Sequence, residues 1–174
     1  MNRPSPVVTV FGSSRPEPGS EPYETARRLG ELLARAGFGV ATGGYGGTME
    51  AVSRGAREAG GKTIGVTAAV FNSPANQWVE EEIRVATWHE RLLKLVELGA
   101  GYVVLPGGTG TLVELAVVWE WINKGFLLEK PVVTLGDFWE PVVRAIPASE
   151  LHSNPLLRGD TPEEAVNLLV SKLL

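Results

Sequence analysis

Short apolar runs, four or five residues each, alternate along the chain with longer segments in which apolar positions recur every three or four residues. The short runs read as strands: Val7–Phe11, 38–42, 63–66, 102–105 and Val132–Leu135, with a further candidate at 83–87. Runs that are apolar at successive positions suit strands covered on both faces, as in a parallel sheet flanked by helices. The longer segments read as helices. Between the first two strands Tyr23, Ala26, Leu29, Leu32 and Leu33 share one helical face, and Gly37 stands where a glycine ends a helix. A second helix over 48–59 stops at Gly60-Gly61, a third spans Trp88–Leu98 and a fourth spans 111–124. The last opens at Thr161-Pro162-Glu163-Glu164, with Thr as N-cap, Pro at the first helical position and Glu164 spaced for a capping box. This βαβα rhythm predicts one α/β domain built on a doubly wound parallel sheet. Residues 67–82 show no clear period, and Asn72-Ser73-Pro74-Ala75-Asn76 predicts a surface loop able to act as a lid.

Composition narrows the function classes. The 174 residues are 44% hydrophobic and 21% charged with mean hydropathy +0.05, which suits one packed core without a disordered block. A net charge of −4 and pI near 5.3 leave no basic stripe for nucleic acid or anionic membrane surfaces, so neither is an expected partner. With no Cys there is no disulfide, thiolate zinc site or Cys nucleophile, and two His do not suffice for a multi-His site. No metal is therefore expected. The apolar run before Gly12 is too short for a signal peptide and no 18 apolar residues run together, so the expected location is cytoplasmic.

The strongest chemical signal is Leu105-Pro106-Gly107-Gly108-Thr109-Gly110-Thr111, which follows a strand and opens a helix. Three glycines in four positions permit close backbone approach, and the helix N-terminus offers free N–H groups at the positive end of its dipole. The pattern reads as a phosphate cradle, with a ligand-free tight turn as the bland alternative. A second cluster, Thr42-Gly43-Gly44-Tyr45-Gly46-Gly47-Thr48, lies between another strand and helix and reads equally as a packing turn or a ligand contact. The turn Gly12-Ser13-Ser14-Arg15 supplies hydroxyls and a guanidinium suited to a nucleotide or sugar.

Two side chains have competing readings. Thr111-Leu112-Val113-Glu114 has the spacing of a capping box, in which Glu114 would only satisfy a backbone N–H. A carboxylate beside a phosphate cradle would instead repel the ligand by about 1 to 4 kcal/mol at 4 Å, so a functional Glu114 faces the adjoining sugar and stabilises a developing oxocarbenium ion. Arg91 lies near the start of its helix, where Glu90 and Lys94 have i,i+4 spacing; it reads either as part of a solvated face or as a group that binds phosphate or assists the leaving group. Glu80-Glu81-Glu82 reads as a solvated run, and the near-Walker segment 56–63 leads from helix to strand, the reverse of a P-loop.

Pro106-Gly107-Gly108-Thr109-Gly110-Thr111-Leu112-Val113-Glu114 resembles the PGGxGTxxE signature of the Lonely Guy family. The turn over 43–49 resembles that family's GGGxxGLM segment, and His89-Glu90-Arg91 its MHERK segment. The likeness extends over 7–145, with Leu92 where Lys is common and Glu50 where Gly is usual. It implies a Rossmann-like fold, a homodimer, and hydrolysis of a nucleoside 5′-monophosphate to free base and ribose 5-phosphate without a cofactor. It assigns catalysis to Arg91 and Glu114, and phosphate contacts to Gly107, Gly108, Thr109, Gly110 and Thr111. Gly12, Ser13, Gly43, Gly44, Gly46 and Gly47 are the further candidate substrate contacts. Molybdenum-cofactor carriers share the glycine signature, so a non-hydrolytic nucleotide or pterin-phosphate carrier is the rival. Lysine decarboxylation, a label once given to the family, would need pyridoxal phosphate on a lysine, and none of the five lysines lies in a recognisable cofactor motif.

Overall fold

One sheet of seven parallel strands organises the chain in the computed structural model, which describes residues 5–174. The first four residues of the stretch read above for a signal peptide lie outside that range. In chain order the elements are β1 (Val7–Phe11), α1 (Glu21–Arg35), β2 (Gly39–Thr42), α2 (Thr48–Glu58), β3 (Thr63–Ala68), β4 (Glu81–Val85), α3 (Trp88–Leu98), β5 (Gly101–Val104), α4 (Thr109–Asn123), β6 (Val132–Leu135), α5 (Glu140–Ala145), β7 (Leu156–Gly159) and α6 (Pro162–Leu173). A short 3-10 turn, Ala69–Phe71, follows β3, and another spans Ala148–Glu150.

The strand order β4-β3-β2-β1-β5-β6-β7 makes this the doubly wound, Rossmann-like α/β fold that the alternation predicts. The chain steps outward from β1 to β4, returns to pair β5 with the free side of β1, and steps outward again. Thr9 thus sits between Ala41 of β2 and Tyr102 of β5. The order reverses between β1 and β5, and the turns after their carboxyl ends flank the crevice where such sheets bind ligands.

Strand alternation feeds two cores. Val8, Val10, Val40 and Val103 point to the face covered by α1, α2 and α6, meeting Tyr23, Leu29, Leu33 and Leu169. Phe11, Val66, Tyr102 and Val104 point to the other, meeting Leu95 of α3 and Leu115, Val118 and Ile122 of α4. Helix α1 ends as expected at Gly37, where Gly37 N–H donates to Ala34 and Phe38 N–H to Leu33, a Schellman closure.

Several boundaries differ from expectation. Strand β4 begins two residues earlier than 83–87 and takes in Glu81 and Glu82. As an edge strand it tolerates charge: Lys62 pairs with Glu81 at 2.7 Å, and the Thr67 hydroxyl donates to Glu82. The two ends of the expected loop at 67–82, Thr67-Ala68 and Glu81-Glu82, are consequently strand. Neither α5 nor β7 was anticipated, because α5 makes fewer than two turns and β7, Leu156-Leu157-Arg158-Gly159, is only half apolar. Helix α4 starts at Thr109 with Gly108 as N-cap, which puts Thr111 and Glu114 inside the helix. The capping-box reading of 111–114 therefore fails, and a capping box forms on α3, between Thr87 and Glu90.

Candidate functional site

Three turns converge at the carboxyl edge of the sheet. The Ser13 carbonyl accepts from the Thr48 N–H at 2.8 Å and from the Thr48 hydroxyl at 3.0 Å, locking the β1–α1 turn to the start of α2. This approach explains Gly47, which has φ +68° and whose Cβ would strike the Ser13 and Ser14 backbone. Gly12 lies so close to Thr48 that a side chain would meet its hydroxyl. Gly44 packs against Thr67 and Gly65, and Gly43 against the Arg91 guanidinium, which occupies the space a Cβ would need. The cluster over 42–48 thus builds the wall of the site, and Gly43, Gly44, Gly46 and Gly47 are not among the residues lining its cavity.

The 105–111 turn behaves differently. Gly107 packs on the Thr111 side chain, whereas Gly108 and Gly110 have open space where a Cβ would stand. No side chain caps α4, and the N–H groups of Thr109, Gly110 and Thr111 have no partner among the described residues. The first turn of α4 therefore presents unpaired donors, unobstructed glycines and the positive end of its dipole to one space.

Arg91 is only 7% exposed, so the solvated-face reading fails. Its Nε donates to the Val66 carbonyl at 2.8 Å and its Nη2 to the Gly43 carbonyl at 2.9 Å, while the guanidinium lies 5.2 Å from the Tyr45 ring centroid. Glu90 has no pairing with Lys94; its carboxylate accepts from the Ala86 and Thr87 N–H groups, and Lys94 pairs with Glu97. Burial lowers the Arg91 pKa, opposed by the charges of Glu114 and Tyr45. Glu114 keeps part of its surface open to the cavity, yet dense surroundings raise its pKa from 4.5 to about 7, against the pull of Arg91. A carboxyl poised near neutrality beside a fixed cation is an arrangement common at catalytic sites.

These groups share a cavity of about 450 Å³ at the β1/β5 switch point, lined among others by Gly12, Ser13, Arg91, Gly108, Gly110, Thr111 and Glu114. Sequence reasoning missed Tyr45, Phe71 and Trp88, which also line it. The available signal was an aromatic residue in the glycine-rich 42–48 turn, in the aperiodic 67–82 stretch and at the start of α3. The two departures from the family motifs have packing reasons: Glu50 accepts a hydrogen bond from the Tyr23 hydroxyl at 2.9 Å, and Leu92 is buried in the core beneath α3. Among the described residues no three His, Cys, Asp or Glu side chains gather as a metal site, and no helix is long and apolar enough to cross a membrane.

The model of the SLOG cluster4 family matches residues 5–166. The chain is 32% identical over 151 residues to a cytokinin riboside 5′-monophosphate phosphoribohydrolase of Rhodococcoides fascians, covering 83% of this chain and 76% of that one. It is 34% identical over 138 residues to the protein of the same name in Mycobacterium tuberculosis, covering 76% and 71%. Among solved structures it resembles a molybdenum cofactor binding protein of Rippkaea orientalis, with TM-score 0.80, 26% identity and 98% of both chains covered.

Proposed function

Because the chain belongs to the SLOG cluster4 family, we propose that it hydrolyses the N-glycosidic bond of a purine nucleoside 5′-monophosphate, releasing free base and ribose 5-phosphate. The observation that carries this reading is that Arg91 and Glu114 meet in one cavity with the unpaired donors of the first turn of α4. The 5′-phosphate accepts from the N–H groups around Gly108, Gly110 and Thr111, where the helix dipole favours negative charge. Glu114 lies one helical turn further along α4, about 6 Å up the axis from Gly110, which brings its carboxylate beside the ribose rather than the phosphate. Ionised, it stabilises positive charge developing at C1′ and orients the attacking water. Water oxygen bonds to C1′, the C–N bond breaks, and the proton released from water ends on the departing base. Arg91, held by two backbone carbonyls, supplies a fixed positive charge that keeps a fraction of Glu114 ionised at neutral pH and stabilises the bound anion.

The test is incubation with adenosine 5′-monophosphate and N6-substituted analogues, followed by chromatography for free base and ribose 5-phosphate. Equal release of the two products supports hydrolysis. Tight nucleotide binding with no release would replace it with the carrier reading, which the likeness to the molybdenum cofactor binding protein supports.

A further inference from the structure

The cavity is lined by two chemically distinct sets of groups. The first turn of α4 offers unpaired N–H groups, with Ser13 and Arg15 also in the lining. Tyr45, Phe71 and Trp88 add aromatic surface, and the first two form a contacting pair. Tyr45 cannot turn away: its hydroxyl donates to the Ala68 carbonyl at 3.3 Å and accepts from the Ala68 N–H at 3.0 Å. The Asn76 side-chain amide donates to the carbonyls of Gly44 and Tyr45 at 3.1 and 2.8 Å, tying the far end of the 69–75 segment to the same turn. The Phe71 ring meets Tyr45 edge to face, with centroids 5.8 Å apart and planes at 88°, and lies 5.9 Å from the Arg91 guanidinium.

Phe71 is nonetheless 48% exposed. A large ring that lines the cavity, held against a rigid corner and half exposed, gains most from a flat apolar partner that covers it. A hydrogen-bonding edge finds little here: the Tyr45 hydroxyl is engaged with Ala68, and Ser73 is the remaining hydroxyl lining near Phe71. We infer that Phe71 is the stacking residue for the leaving base, so that the nucleotide lies with base on Phe71, phosphate on the first turn of α4, and glycosidic bond beside Glu114 and Arg91. This rests on the nucleotide reading of the site given above. Recognition by ring face rather than ring edge makes the site select purines over pyrimidines by stacking area, and tolerate substituents on the exocyclic amine.

The test measures equilibrium binding in the Glu114→Gln background, where the nucleotide persists. Adenosine 5′-monophosphate, uridine 5′-monophosphate and ribose 5-phosphate are each titrated by calorimetry into that protein and into versions also carrying Phe71→Ala or Phe71→Trp. Phe71→Ala should weaken the adenine nucleotide on the order of 10- to 100-fold, the range for losing one base–aromatic stack, while ribose 5-phosphate stays within about twofold. Phe71→Trp should restore adenine affinity, and the uridine nucleotide should bind more weakly than the adenine one throughout. Unchanged adenine affinity in Phe71→Ala, or an equal loss for ribose 5-phosphate, overturns the inference and leaves the hydrolase reading standing. Phe71-dependent binding alongside an unaltered protein that releases no base upholds the stacking role and removes the hydrolase. Absence of any nucleotide binding removes both.

Discussion

Arg91 and Glu114 face one cavity and each shifts the other's protonation, yet no direct ion pair joins them. Arg91 spends its directional hydrogen bonds on the Val66 and Gly43 carbonyls. Glu114 thus feels a cation without being neutralised by it, and burial outweighs that attraction in setting its pKa near 7. A contact ion pair would have held the carboxylate permanently ionised and occupied. The separation leaves a carboxyl whose charge is free to meet a developing cation.

Glu114→Gln keeps the size and loses the charge. If the ionised carboxylate acts on the transition state, kcat falls by roughly 10² to 10⁴ with nucleotide affinity retained. In the parent, kcat/KM should rise with pH through about 7, and the glutamine variant should lack that rise. Steady-state rates from pH 5.5 to 8.5 on both proteins decide this.

The same carboxyl makes stability depend on pH. Its folded-state pKa lies above its unfolded value of 4.5, so its contribution to stability is complete below pH 4.5 and is lost as pH rises through about 7. Glu114→Gln should therefore melt higher than the parent at pH 8 and converge with it near pH 5. Because part of the side chain meets solvent, the expected gap at pH 8 is on the order of 1–3 kcal/mol. Paired melts at the two pH values measure it, and an unchanged gap would refute the pKa.

Arg91→Lys should fail despite keeping a positive charge, because a single ammonium cannot reproduce donation from Nε and Nη2 to two carbonyls. One unsatisfied buried carbonyl costs about 1–3 kcal/mol. The expected result is a lower melting temperature together with at least tenfold weaker nucleotide binding, read by thermal melts and calorimetry.

Gly110 offers a cleaner probe of the cradle, since a Cβ there meets nothing in the folded protein. Gly110→Val should change stability by no more than about 1 kcal/mol, the scale of helix propensities, while weakening phosphate or nucleotide binding by obstructing close approach. A crystal grown in sulfate should hold the ion at this turn, and an ion-free turn in such a crystal counts against the cradle.

Helix α4 is apolar on more sides than one sheet can cover. Val113 on its outer side is exposed, and a groove of about 210 Å³ is lined by Leu112, Leu115 and Trp119 of α4 with Val142, Ile146 and Leu151. The Trp119 indole N–H is buried without a partner among the described residues. A second copy of the chain is expected to cover this face. Light scattering at micromolar concentration should give a dimer, and Val113→Glu should weaken it; a monomeric parent would refute the expectation.

How far the sequence reached depended on the length of each signal. Helix α3 was read to the residue, and α1 closed at Gly37 as expected, because long amphipathic segments repeat their period several times. Strand β7 stayed hidden because only Leu156 and Leu157 of its four residues are apolar, and helix α5 because six residues make fewer than two turns. Of the two readings that the Glu114 spacing left open, the cap failed: a Thr three residues before a Glu is compatible with one, but Gly108 took that place and drew Thr111 into the helix. Gly43 and Gly47 were legible as glycines in a turn, and only packing against Arg91 and the Ser13–Ser14 backbone showed what required them.

By itself the chain's pattern determined the βαβα order, the strands buried on both faces and the glycine-opened start of α4, since all of these are written in local periodicity and in which residues a turn admits. The tertiary structure alone decided that β5 returns to the free side of β1, bringing the end of each beside the other, and that Arg91 buries its guanidinium between Gly43, Val66 and Tyr45. It also decided that Glu114 shares Arg91's cavity and that the half-exposed Phe71 lines the same cavity. Such relations join residues from 23 positions apart, as Arg91 and Glu114, to 93, as Val8 and Gly101, and no local propensity encodes them; they follow from the order in which the strands pair and from the surfaces left to be buried once they have.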